Sequence, residues 1–140
     1  MRNNEKEHLT GVALKNELEA ACRGLIYVSE TDSRVDVVFE ESYEGSSLRN
    51  FMSGFVSEAS GPIVEQTPAR FFDRLTTDKD WHTLQDKRTA RRYQRLRKLI
   101  SDNCRDVTMF RSGRVRIDIF VLGKDDEDNI AGIRTRAVET

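Results

Sequence analysis

The sequence predicts an α+β domain in which helices flank a largely antiparallel or mixed central sheet. Helical periodicity dominates the earlier part of the chain, alternating β-branched runs fill its final part, and short turn-forming clusters separate those runs. In one such run Val115, Ile117, Ile119 and Val121 take every second position, while Arg114, Arg116 and Asp118 take the others. That pattern is a strand with one buried and one wet face. Phe120 and Leu122 make both faces apolar at its far end, which calls for helices on both sides of the sheet.

Each element has its own signal. Over residues 3–23, Leu9, Val12, Ala13, Leu18, Ala21 and Cys22 recur at helical spacing, and Gly24 is placed to end the helix. Residues 25–28 are a short apolar run closed by the polar cluster 29–34, a loop or the beginning of a strand. Val35, Val37, Val38 and Phe39 then form a β-branched and aromatic strand. Leu48, Phe51, Met52, Phe55 and Val56 are spaced helically, with Ser46 or Ser47 as caps, but Gly45, Gly54 and Gly61 confine that helix to a short piece of a long connection.

Residues 62–66 suit a brief strand, after which Thr67 caps a helix whose first position is Pro68 and whose inner side is Ala69, Phe71, Phe72 and Leu75. The polar stretch 76–82 breaks it. A long helix follows over residues 83–103, with Leu84, Tyr93, Leu96, Leu99 and Ile100 on its apolar side. Residues 107–110 make a strand, Ser112 and Gly113 a hairpin turn, and the alternating strand comes next. The acidic turn 123–129 reverses the chain into a last strand, 131–138, with Ile133, Thr135 and Ala137 on one face and Arg134, Arg136 and Val138 on the other.

A chain of 140 residues suits a single domain, 1–140, burying roughly two-thirds of its unfolded surface. Its 23 Lys and Arg balance 24 Asp and Glu, which excludes both a general nucleic-acid binder and an acidic DNA mimic on global charge. Residues 1–10 hold no apolar leader core, and no run approaches the roughly 18 apolar residues of a membrane span, so a cytoplasmic protein is expected. Cys22 and Cys104 have no neighbours at metal-ligand spacing and are expected as free buried thiols.

Few residues offer chemistry. The tetrad Asp125 to Asp128 lacks the glycine and the terminal glutamate of an EF-hand loop and is expected to be a solvated turn. The helix segment 87–98 carries Lys87, Arg88, Arg91, Arg92, Arg95, Arg97 and Lys98, which either track phosphates or balance acidic neighbours. Trp81, the only tryptophan, lies among charged residues and is either semi-core or an interface anchor. Glu30 is a loop glutamate with no second acid, base or lysine placed beside it by sequence. The last strand ends two residues before Thr140, whose carboxylate and hydroxyl make a small oxygen-ligand set at a fixed sheet rim. No catalytic constellation assembles from these residues.

Four stretches resemble the sugar-nonspecific nuclease inhibitors of the nuclease A inhibitor type: GLIYVSETD at 24–32 with the strand after it, FFDRLTTDKDW at 71–81, FRSGRVRIDIFVLG at 110–123, and NIAGIRTRAVET at 129–140. The resemblance implies an α-β-α sandwich without enzymatic activity or cofactor. It further implies a monomer that binds one-to-one to a magnesium-dependent DNA/RNA endonuclease and occludes its active site. Glu30 matches a loop glutamate that enters the nuclease cleft, Trp81 an aromatic anchor, and Thr140 a terminal threonine that reaches the nuclease's magnesium. Residues 41–65 and the loop after Glu30 depart from the family pattern.

Overall fold

The computed structural model describes residues 8–41, 47–55 and 61–140. Five strands form one antiparallel sheet: β3 (Asp36–Glu40), β4 (Val64–Gln66), β5 (Arg105–Ser112), β6 (Arg116–Lys124) and β7 (Ile130–Val138), in the order β3-β7-β6-β5-β4. Two three-residue strands, β1 (Ile26–Val28) and β2 (Asp32–Arg34), form a separate two-stranded sheet. The sequence allowed an antiparallel or a mixed sheet, and every pairing among the described residues is antiparallel.

Three helices lie on one face: α1 (Gly11–Cys22), α3 (Ala69–Leu75) and α4 (Leu84–Asn103). Their Leu14, Leu18, Phe71, Phe72, Tyr93, Leu96 and Ile100 meet Ile117, Ile119, Val121, Ile133 and Ala137 of the sheet. The short helix α2 (Leu48–Ser53) covers the opposite face, where Leu48, Phe51 and Met52 meet Val38, Phe110, Phe120 and Leu122. The doubly apolar end of β6 thus sits between two cores, as its composition requires. Inside that layer β7 approaches β6 closely at Gly132, where a Cβ would fall 2.0 Å from the Val121 carbonyl oxygen.

Local chemistry sets the helix ends. Thr83 caps α4 and forms a reciprocal capping box with Asp86, and Ser47 caps α2 by accepting from the Asn50 N–H at 3.1 Å. Gly24, at φ +71, takes the left-handed position just beyond α1. The expected helix over 3–23 begins at Gly11 among the described residues; residues 3–7, like the candidate cap Ser46 and Val56, lie outside them. α3 begins at Ala69 with Pro68 as its N-cap, and Thr67 contributes its carbonyl to the Arg70 N–H at 3.0 Å. The polar cluster 29–34 contains β2, which is held to β7 by the Thr135 hydroxyl donating to the Arg34 carbonyl at 2.8 Å. No helix among the described residues is long and apolar enough to cross a membrane.

The acidic turn after β6 works as a structural knot. Asp125 is fully buried and accepts from Glu127 N–H and Asn129 N–H on one oxygen, and from Gly11 N–H and the Asn129 amide on the other. Asp126 pairs with His8, and Asp128 with Arg105. Burial opposes the charge on Asp125, but these hydrogen bonds outweigh it and hold its carboxyl below the usual range. A carboxyl with a depressed folded pKa stabilises the fold above its unfolded pKa, and that contribution disappears as pH falls through the folded value. Asp125→Ala is expected to cost at least about 2 kcal/mol, because the two buried donors of Asn129 lose their acceptor and each such loss costs about 1–3. Thermal melts of both proteins check it: the gap should be full at neutral pH and shrink in acid.

Candidate functional site

The β1–β2 hairpin is fixed from both sides. Tyr93 of α4 donates its hydroxyl to the Ile26 carbonyl at 2.7 Å, and Tyr27 stacks on Phe71 with ring centroids 5.4 Å apart. On the other side the Thr135 hydroxyl of β7 donates to the Arg34 carbonyl at 2.8 Å, while Val35 N–H donating to the Leu25 carbonyl at 3.2 Å closes the base of the hairpin. The tip of the hairpin, residues 29–31, is therefore delivered to the end of β7.

There the chain end is held residue by residue. Ser29 Oγ accepts from Val138 N–H at 3.0 Å, and Glu30 N–H donates to the Val138 carbonyl at 3.2 Å. Glu139 N–H donates to the Val115 carbonyl at 2.9 Å, and its carboxylate pairs with Arg111 at 3.1 Å. Thr140 N–H and Thr140 Oγ1 donate to the two oxygens of the Glu30 carboxylate, each at 2.7 Å. Those two bonds, backbone then side chain, hold the Glu30 carboxyl below its usual range despite its exposure. Glu30 and Thr140 thus form one solvent-facing cluster of oxygen ligands and negative charge.

Trp81 lies on the connection between α3 and α4 and is 75% exposed, so it is not part of the core. His82 meets its ring edge-on at 4.5 Å between centroids, and Lys79 sits 5.3 Å from the ring centre. The turn beneath it is closed by His82 N–H to the Lys79 carbonyl at 3.0 Å. Trp81 walls an open groove of about 470 Å³ that also takes in Ile26, Val28, Arg74 and Arg88. Val28 is 59% exposed and stands two residues before Glu30, so β1 joins the tryptophan groove to the Glu30–Thr140 cluster.

Of the three residues singled out by sequence, two are in direct contact and the third is connected to them through β1. Sequence reasoning missed Ser29, Val28 and Arg111. The signal for Val28 was there: Ile26 and Val28 flank the inward Tyr27, so a three-residue strand puts two aliphatic side chains outward. Nothing local marked Ser29 or Arg111, whose partners lie 109 and 28 residues away.

The basic helix is largely occupied with its own neighbours. Arg95 pairs with Glu17, Arg97 with Asp73 and Lys98 with Asp102, while Arg92 donates to the Ala21 and Arg23 carbonyls. Lys87, Arg88 and Arg91 form no ion pair among the described residues. The thiols of Cys22 and Cys104 are both pushed up to about 12 by burial, which leaves neither a nucleophile at neutral pH.

The family model described as Nuclease A inhibitor-like protein matches residues 12–140, from the first turn of α1 through Thr140. No curated protein matches the sequence.

Proposed function

The chain belongs to the nuclease A inhibitor-like family, and from that premise we propose that it acts, as one domain and without catalysis of its own, as a cytoplasmic inhibitor of a magnesium-dependent sugar-nonspecific DNA/RNA endonuclease. It binds as a monomer, one-to-one, and occludes the nuclease active site. Thr140 reaches the nuclease's magnesium with its oxygen atoms, which replace substrate phosphate or water on a hard cation. Glu30 meets cations that otherwise hold the scissile phosphate. Trp81 buries area beside these polar contacts and keeps water from them.

The observation that supports this reading most is the meeting of Glu30 and Thr140, 110 residues apart in sequence, in one exposed hydrogen-bonded pair. A surface that only had to be soluble would gain little from chelating a residue 110 positions away with a carboxylate. Titrating the full chain into a magnesium-dependent nonspecific nuclease tests the proposal. Activity should fall linearly to zero at one equivalent, and a nuclease that stays active at a large excess of the chain would count against it.

A second reading, a nucleic-acid-binding module using helix segment 87–98, is favoured only by Lys87, Arg88 and Arg91. Three cations on duplex DNA give a log–log salt slope of about −2.7, shallow beside dedicated DNA binders. Binding to DNA or RNA with that slope, in the absence of any nuclease, would support it.

A further inference from the structure

The tip of the β1–β2 hairpin touches all of the polar groups that fix the last strand's exit except those of Glu139. Ser29 Oγ takes the Val138 N–H, Glu30 N–H takes the Val138 carbonyl, and the Glu30 carboxylate takes both donors of Thr140. Ser29 is itself held in place, since its N–H donates to the Thr31 carbonyl at 2.9 Å and its hydroxyl donates to the same carbonyl at 3.2 Å. The hairpin carrying both residues is fastened to α4 through Tyr93 and to β7 through Thr135. Strand ends in such a position ordinarily fray.

From these contacts we infer that Ser29 and Glu30 form a latch that orders Thr140 before any partner arrives, with Ser29 as a positioning residue acting through Val138. The use of the latch rests on the inhibitor reading above; its existence in the free protein does not. The chemistry is specific on both sides. Residue 140 must supply an N–H and a side-chain hydroxyl in a chelating pair, which threonine does. Residue 30 must supply two acceptor oxygens, which a glutamine amide cannot, since one of its arms only donates. A carboxylate has about four lone-pair sites, so two bonds to Thr140 leave Glu30 able to accept from a partner's cations at the same time. With the chain end ordered on folding, association loses less conformational freedom, and affinity rises without a new contact.

The test uses the full chain, as wild type and as Ser29→Ala, Ser29→Thr and Glu30→Gln, with amide NMR of the free proteins beside nuclease inhibition. In the wild type the Thr140 amide should exchange at least about tenfold more slowly than in a peptide of the same C-terminal sequence. Ser29→Ala and Glu30→Gln should return it to the peptide rate, Ser29→Thr should retain the slowing, and melting temperatures should differ by no more than the loss of a single hydrogen bond, since Glu30 is exposed and Ser29 half-buried. Inhibition by Ser29→Ala should weaken about tenfold, the fold-change of one lost hydrogen bond, with Ser29→Thr restoring it. A wild-type Thr140 amide that exchanges at the peptide rate overturns the latch. Slow exchange that Ser29→Ala abolishes while inhibition stays unchanged overturns its role in binding. A wild type that holds Thr140 but inhibits no nuclease upholds the latch and refutes the inhibitor reading instead.

Discussion

Adding a few residues after Thr140 is expected to weaken inhibition by roughly 2–5 kcal/mol, the cost of removing one partner from a desolvated charge pair. In inhibition constants that is about 30-fold to several thousandfold. An extension turns the carboxylate into a neutral amide and adds bulk where the nuclease's metal would approach, yet it leaves the Thr140 N–H and hydroxyl free to bond Glu30 as before. Stability should therefore be unchanged while affinity falls. Thr140→Ala makes the complementary change, keeping the carboxylate and losing the hydroxyl both as a partner of Glu30 and as an oxygen offered to the metal, and should cost less than the extension, with about 1 kcal/mol of it from the lost bond to Glu30. The order of the two effects, measured as inhibition constants beside melting temperatures, separates metal ligation from a mere structural need for the last residue. An extended chain that inhibits like the wild type would remove Thr140 from the mechanism.

Much of this architecture was legible because its signals are local. β6 declared its two faces by alternation, and α4 declared its extent and, in Tyr93, Leu96 and Ile100, its inner side, although Leu84, read on that same side, is exposed and the Thr83–Asp86 capping box went unread. The hairpin at Ser112 and Gly113 followed from turn chemistry, and Gly113 does adopt φ +117. What stayed hidden depends on partners far along the chain. β2 is three polar residues, Asp32, Ser33 and Arg34, with no strand propensity to announce it; pairing with β1 and the Thr135 hydroxyl make it a strand. Asp125 looked like one of four equivalent turn carboxylates until Gly11, more than a hundred residues earlier, supplied an N–H to bury it. The choice between core and interface for Trp81 was undecidable for a similar reason, because exposure is set by what the rest of the fold leaves uncovered. Family resemblance supplied the three residues to watch, and the fold adds Ser29 and Val28 beside them.

Trp81→Ala is expected to cost about 2–4 kcal/mol of affinity for the nuclease, the range of an aromatic anchor at the centre of an interface, while leaving stability within about 0.5. The separation follows from exposure: a ring that is 75% exposed has little to lose in the free protein and nearly its whole area to gain in a complex. Its presentation is prepared, since His82 packs edge-on against it and the 79–82 turn is closed by backbone hydrogen bonding. Val28, Ile26 and the aliphatic parts of Arg74 and Arg88 offer adjoining surface in the same groove, so a partner side chain seated there would be desolvated on several sides. Trp81→Phe keeps a flat apolar ring and should recover part of the loss, whereas Val28→Ala should give a smaller defect of about 1 kcal/mol. Inhibition constants and melts for the three variants decide between interface and fold. A Trp81→Ala protein that inhibits normally would shift the contact away from this groove, and one that loses stability in step with affinity would make Trp81 a structural residue after all.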